Sequence, residues 1–250
     1  MIEVDFRRDM PPRKPISNLR FGIANRLGYF PAIFFPLMRF RKWLWPAKGA
    51  ALLDRFTDVV IEGFFRCGNS FAVRAFICAQ DAPVRVANRT HAPATVIVAA
   101  RRRLPILILI RNPVDTVTSL MLKKPFGTVP QYFNYYTNYY RSIESYRQDF
   151  LLADFAEITE DYGSIVQRLN KRFNTAFVPF KHTEENVREV FSIIAMNDKR
   201  AEKGDVLRYS TPNKSKEERK RLIRQQVSSA EFDRERADAE AVYRRFVHTE

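Results

Sequence analysis

Apolar positions cluster in short runs separated by helical patterns. The greasiest is "LPILILIRNP" (104–113), which has no polar alternation from Ile106 to Ile110. A strand of that kind is buried on both faces, as in the middle of a parallel sheet. Pro113 follows it as a first helical residue, and Val114 to Lys123 continue the helix. Val59, Val60 and Ile61 predict a second strand, followed by a tight turn and a helix over Phe71 to Ala79. Residues 131–148 read as a helix on which Tyr132, Tyr136, Tyr139, Ile143 and Tyr146 recur at steps of four and three, one face read as core. "DFAEIT" (154–159) reads as a further strand, and Asp161 to Phe173 as a helix with Ile165, Val166 and Leu169 on its apolar side. Ser215 with Glu218, and Ser228 with Glu231, have the capping-box spacing and would open two late charged helices.

Strands alternating with helices predict an α/β fold: a mainly parallel central sheet flanked by helices, with a helical C-terminus. Residues 1–50 are rich in Pro and Arg and are expected to form an irregular N-terminal extension packing on an α/β domain over 51–250.

Charge narrows the choice of partner. Lys and Arg number 42 against 28 Asp and Glu, a net +14 that calls for an anionic partner: nucleic acid, a membrane surface or a multiply phosphorylated ligand. Cys67 and Cys78 are too few for a disulfide framework and lack metal-binding spacing, which favours a reducing, cytoplasmic setting and no metal. The apolar stretch Leu27 to Met38 is interrupted by Pro31 and Pro36 and falls short of the ~20 residues that span a bilayer. Trp43 and Trp45 beside Arg39, Arg41 and Lys42 leave two readings of 27–45 open, a peripheral membrane contact or a segment packed on the core.

Two loops carry candidate chemistry. Gly63-x4-Gly68-Asn69-Ser70 has the spacing of a phosphate-cradling loop between a strand and a helix, with Asn69 where the lysine of a nucleoside-triphosphate site belongs. Arg111 closes the buried strand, and Ser119 lies about two helical turns further on. Ends of parallel strands are where such sheets bind ligands, and a planar guanidinium suits an anion.

These residues resemble the sulfotransferases that use 3′-phosphoadenosine 5′-phosphosulfate (PAPS). Arg66-Cys67-Gly68-Asn69-Ser70 resembles the family's first signature, an Arg or Lys followed by Ser-Gly and two Ser or Thr. Arg111, Pro113, Asp115 and Ser119 match its second, R-x-P-x-D-x-x-x-S, without a gap. "RTHAP" (89–93) resembles the family's K-T-H segment, and "ITEDY" (158–162) a later one, with Thr159 where an adenine-contacting tyrosine often sits. The resemblance covers roughly 58–175, loosening to a faint echo of the closing segment at "KRAEKGD" (199–205), with Lys203 and Gly204 as cofactor-binding candidates.

The resemblance implies a P-loop-containing, sulfotransferase-like fold and transfer of a sulfuryl group from PAPS to a hydroxyl or amine, leaving the 3′,5′-bisphosphate (PAP), without a metal. It implies that Arg66 meets the 5′-phosphosulfate and stabilises the leaving oxygen. Around it Cys67, Gly68, Asn69, Ser70 and Phe71 form the loop, with Cys67 in place of a serine and Asn69 in place of a threonine. Arg111 and Ser119 would hold the 3′-phosphate. His91 would be the general base and Arg89 an added cation at the acceptor side. Phe133, Tyr135 and Tyr140 fall off the tyrosine stripe and are candidates to line a pocket for a small-molecule or carbohydrate acceptor. No specific nucleic acid is expected, and oligomeric state is left open. Two other readings stand beside this one: a kinase-like phosphotransferase, and a non-catalytic protein of the same fold that binds nucleic acid, membrane or another anion.

Overall fold

The computed structural model describes residues 22–23, 25–44, 51–125, 127–201 and 217–248. Four parallel strands form one sheet: β1 (Val59–Gly63), β2 (Val86–Asn88), β3 (Ile106–Ile110) and β4 (Leu151–Asp154), in the spatial order β2-β1-β3-β4. Every residue of β1 and β3 is buried; for β3 the absence of polar alternation predicts this, while in β1 the charged Glu62 is buried with the rest. Their register pairs Gly63 with Leu109, and a Cβ on Gly63 would sit 2.4 Å from the Leu109 carbonyl oxygen. Glycine is needed there because the two backbones approach too closely for a side chain.

Helices cover both faces. Between β1 and β2 lies α2 (Asn69–Ala79), and between β2 and β3 lies α3 (Pro93–Arg101). After β3 come α4 (Pro113–Lys123) and α5 (Val129–Ile143), then a 3₁₀ turn (Glu144–Asp149) leading into β4. Proline opens α4 at the first helical position, and the Asn112 side chain accepts from Val114 N–H and Asp115 N–H. On α5, Tyr132, Tyr136, Tyr139 and Ile143 are fully buried, as the core reading of that stripe expects, whereas Tyr146 lies beyond the helix in the 3₁₀ turn and is only half-buried. The chain continues through α6 (Phe155–Glu160), α7 (Tyr162–Phe173), α8 (Glu184–Ala201), α9 (Glu217–Val227) and α10 (Asp233–His248). Arg141–Asp238 and Arg245–Glu144 ion pairs tie α10 to α5 and the turn after it.

Three expectations change. "DFAEIT" is not a strand: β4 ends at Asp154, whose side chain accepts from Ala156 N–H while Glu157 accepts from Asp154 N–H, a capping box that starts α6. The segment before the sheet is not wholly irregular, since α1 (Pro31–Leu44) runs as a helix through Pro36 and buries Phe34 and Phe35. Ser228 does not cap the last helix. A 3₁₀ turn (Ala230–Phe232) with Ser229 at its N-cap precedes it, and α10 opens at Asp233. Ser215, Trp45, Lys203 and Gly204 lie outside the described residues.

Candidate functional site

All four strands point the same way, so the segments leaving β1, β2, β3 and β4 gather at one edge of the sheet. They surround a cavity of about 620 Å³, closed on its far side by α8 and by Lys220 of α9. The chain runs from β1 to β2 on one side and places β3 on the other. That reversal of strand order leaves a crevice at the carboxyl ends of β1 and β3.

The β1–α2 loop and the start of α4 meet there. Gly68 has φ +91°, left-handed backbone that disfavours other residues, and its Cβ position faces Phe155 at 3.3 Å. The first turn of α2 leaves backbone N–H groups without helical partners, next to the positive end of the helix dipole. Arg66 Nε donates to Ser119 Oγ at 2.9 Å, joining two motifs 53 residues apart in the chain. Arg111 Nη1 donates to the Arg66 carbonyl at 3.3 Å, and its guanidinium carbon lies 4.0 Å from the centre of the Phe155 ring. Arg111 Nε is buried without a hydrogen-bond partner among the described residues. Asp115, the local carboxylate that could have neutralised Arg111, is paired instead with Arg224 of α9.

On the β2 side the "RTHAP" segment is held in an unusual shape. Arg66, Arg89 and His91 have φ of 69°, 64° and 49°; they are three of the five non-glycine residues with positive φ among those described, and all three line the cavity. Such backbone costs roughly 1–2 kcal/mol per residue, and its concentration here marks a site whose surroundings hold it in place. The restraint is Glu62 of β1, fully buried beneath the segment. Its Oε1 accepts from Thr90 N–H and Thr90 Oγ–H, both at 2.7 Å, and its Oε2 from His91 N–H at 3.1 Å. Burial outweighs these hydrogen bonds and pushes the Glu62 carboxyl up to about 7.

The His91 ring lies 4.2 Å from Phe65, which in turn carries the Lys124 ammonium 3.9 Å from its centre. His91 Nδ1 is 2.9 Å from the Gly63 carbonyl oxygen, which can only accept. Nδ1 therefore carries the proton, and Nε2 keeps its lone pair. Burial, followed by the nearby Lys124, Arg89 and Arg66 cations, lowers the imidazole to about 3.

The described lining of the cavity combines cations with an apolar wall. Arg66, Arg89, Arg111, Lys123, Lys124 and Lys220 line it with one carboxylate, Asp198, while Phe71, Ile158, Val187, Phe191 and Ile194 form an apolar wall. A ligand with several negative charges and a flat apolar part matches that combination.

Among the predicted site residues, Arg66, Gly68, Asn69, Ser70, Phe71, Arg89, His91, Arg111, Ser119 and Thr159 all line this cavity. Asn69 Nδ2 donates to the Phe64 carbonyl at 2.9 Å, so its amide braces the loop and leaves a buried oxygen unpartnered. Thr159 Oγ donates to the carbonyls of Phe155 and Ala156 on its own helix. Cys67 is not at the cavity: its thiol is fully buried, 3.4 Å from the Tyr140 hydroxyl, and burial pushes it up to about 11. Phe133 and Tyr140 are likewise fully buried core residues, because α5 packs on more than its tyrosine stripe. Tyr135 is half-buried on the same helix, also away from the cavity wall.

Sequence reasoning passed over Glu62, Lys123, Lys124, Phe155 and His182. His182 Nδ1 accepts from Tyr162 N–H at 3.1 Å, and the ring joins the cavity wall from outside any motif. Glu62 did carry a signal, as the single charged residue in the strand Val59–Gly63.

No family model matches the chain, and no curated protein matches it. Among solved structures it is similar to mouse sulfotransferase SULT7A1 complexed with PAP, at 9% identity and a TM-score of 0.43, over 80% of this chain and 88% of that one. Among the described residues, no helix is long and apolar enough to cross a membrane.

Proposed function

We propose that the chain binds PAPS in this cavity and catalyses sulfuryl transfer to a hydroxyl of a small acceptor, releasing PAP. The observation that carries the reading is the meeting of Arg66, Arg111 and Ser119 at one wall, with a buried Arg111 N–H left unpaired among the described residues. A buried donor without a partner costs stability, and an anionic ligand oxygen would satisfy it. The residues fit such a ligand in charge, in the open backbone donors of α2 and in the apolar wall beyond them.

When bound, the donor supplies the sulfuryl group, whose bond to the phosphate oxygen breaks as the acceptor oxygen bonds to sulfur. Arg66 and the first turn of α2 stabilise negative charge on the leaving phosphate, the electrostatic role that dominates transfers of this kind. Arg111, braced flat against Phe155, and Ser119 hold the second phosphate. His91 takes the acceptor's proton at Nε2. Its lowered proton affinity keeps it in the accepting form at neutral pH. A polyanion beside Arg66, Arg89 and Lys124 offsets the cations that depress it, so donor binding strengthens the base.

Calorimetric titration with PAP, with AMP and ATP as controls, tests the binding step. Preference for the bisphosphate, lost in Arg111→Ala, is the expected result; equal binding of AMP would refute the assignment. An acceptor screen with PAPS, with His91→Ala alongside, then tests transfer. Tight PAP binding without transfer to any acceptor would favour a non-catalytic anion-binding protein.

A further inference from the structure

We propose that the exposed face of α1 docks on the surface of an anionic lipid bilayer, lying in the interface without crossing it. Seven of the ten large exposed hydrophobic residues among those described fall within 23–44. On α1 and the residue before it, Phe30, Ile33, Leu37, Phe40 and Leu44 recur at steps of three and four, one stripe down the helix. Trp43, 75% exposed, stands beside the stripe with its ring stacked on Phe40. The opposite face carries Phe34 and Phe35 into the core, so packing among the described residues does not account for the outer stripe.

Charge selects the occupant. At 100° per residue, Arg41 borders the outer stripe on one side, Arg39 lies beyond Trp43 on the other, and Lys42 follows in the last turn. All three are exposed, and residues 22–44 contain no Asp or Glu. An apolar stripe bordered by exposed cations fits acyl chains below anionic headgroups, with Arg and Lys stems reaching up to the phosphates. A second copy of the chain would bring the same cations against these and gain no opposite charge. The net charge of +14 adds long-range attraction to the same surface.

The chain carries its own probe, since its two tryptophans are Trp43 and Trp45. The full protein is mixed with phosphatidylcholine vesicles with and without phosphatidylserine, and read by co-sedimentation and tryptophan emission. Binding to the phosphatidylserine vesicles with a blue shift, weakened by salt, is expected. Leu37→Gln/Phe40→Gln keeps every charge and both tryptophans, and should weaken binding roughly tenfold or more while leaving thermal stability and PAP affinity unchanged. Equal binding by this variant would assign the attraction to the basic surface in general and overturn the proposal. Failure of the wild type to sediment would also overturn it. Self-association in solution that the same variant abolishes would identify a second copy as the occupant instead.

Discussion

Glu62→Gln offers a test of the site's framework that needs no ligand. In the folded chain burial raises this carboxyl from 4.5 to about 7, so folding favours its protonated form. At 1.36 kcal/mol per pKa unit, the rise is worth about 3 kcal/mol. That contribution is fully present below pH 4.5 and is lost as pH rises through about 7. His91 works in the opposite direction. Its folded value is lowered from 6.5 to about 3, so its share is present above 6.5 and lost on acidification. Contact with the cavity tempers the His91 share, since water there screens the imidazolium. Between these limits the folded pair holds its proton on Glu62 and the unfolded pair on His91, so the wild type is nearly flat with pH there. Glutamine removes one slope and exposes the other. At low pH the variant should be about 1–2 kcal/mol less stable, because its amide N–H₂ confronts a donor, Thr90 N–H or His91 N–H. By about pH 8 the difference should have moved by about 3 kcal/mol in the variant's favour, so that the two stability curves cross. Urea denaturation across that range, with linear extrapolation, measures both curves. A constant offset between them would refute the assignment of a buried, proton-bearing Glu62.

Three further outcomes are expected. Arg111→Ala should weaken PAP binding by about 10- to 100-fold while barely changing the melting temperature, and Arg111→Lys should not restore it, because an ammonium cannot lie flat on Phe155 or present a fork. Gly63→Ala should destabilise by about 3 kcal/mol or more and reduce soluble yield, since its Cβ meets the Leu109 carbonyl of a fully buried strand; chemical denaturation checks this. A thiol reagent at mild alkaline pH should modify one cysteine quickly, the exposed Cys78, and reach the buried Cys67 only when urea opens the fold.

The parts legible in the sequence were those where one local pattern decides the structure. Ile106–Ile110 could be read because five consecutive apolar residues without polar alternation suit a strand buried on both faces. Pro113 after Asn112 could be read as a helix start because proline suits that position. "DFAEIT" misled because three apolar residues in so short a stretch suit a strand or a helix turn equally; the Asp154 and Glu157 spacing carried the deciding signal. For the site, motif spacing placed Arg66, Arg111, Ser119 and His91 around one cavity, since each follows a strand of the same parallel sheet. It did not give side-chain direction, so Cys67 fell within a binding motif while its thiol faces the core. Lys124, Phe155 and His182 reach the cavity through packing between distant segments, which no local pattern encodes.

The parallel sheet also acts as a ruler. Across its width the site residues follow the order of the strands in space: His91 after β2, Arg66 after β1, Arg111 after β3, and Phe155 and Thr159 after β4. Three strand spacings of about 4.8 Å make about 14 Å, comparable to the length of an extended nucleotide. A ligand laid along that edge is graduated by hydrogen-bonded backbone, so each segment of it answers to a different loop. On the function proposed above, substitutions in the β2 loop would change which acceptor is taken, while the marks that measure the donor, set by β1 and β3, would stay where they are.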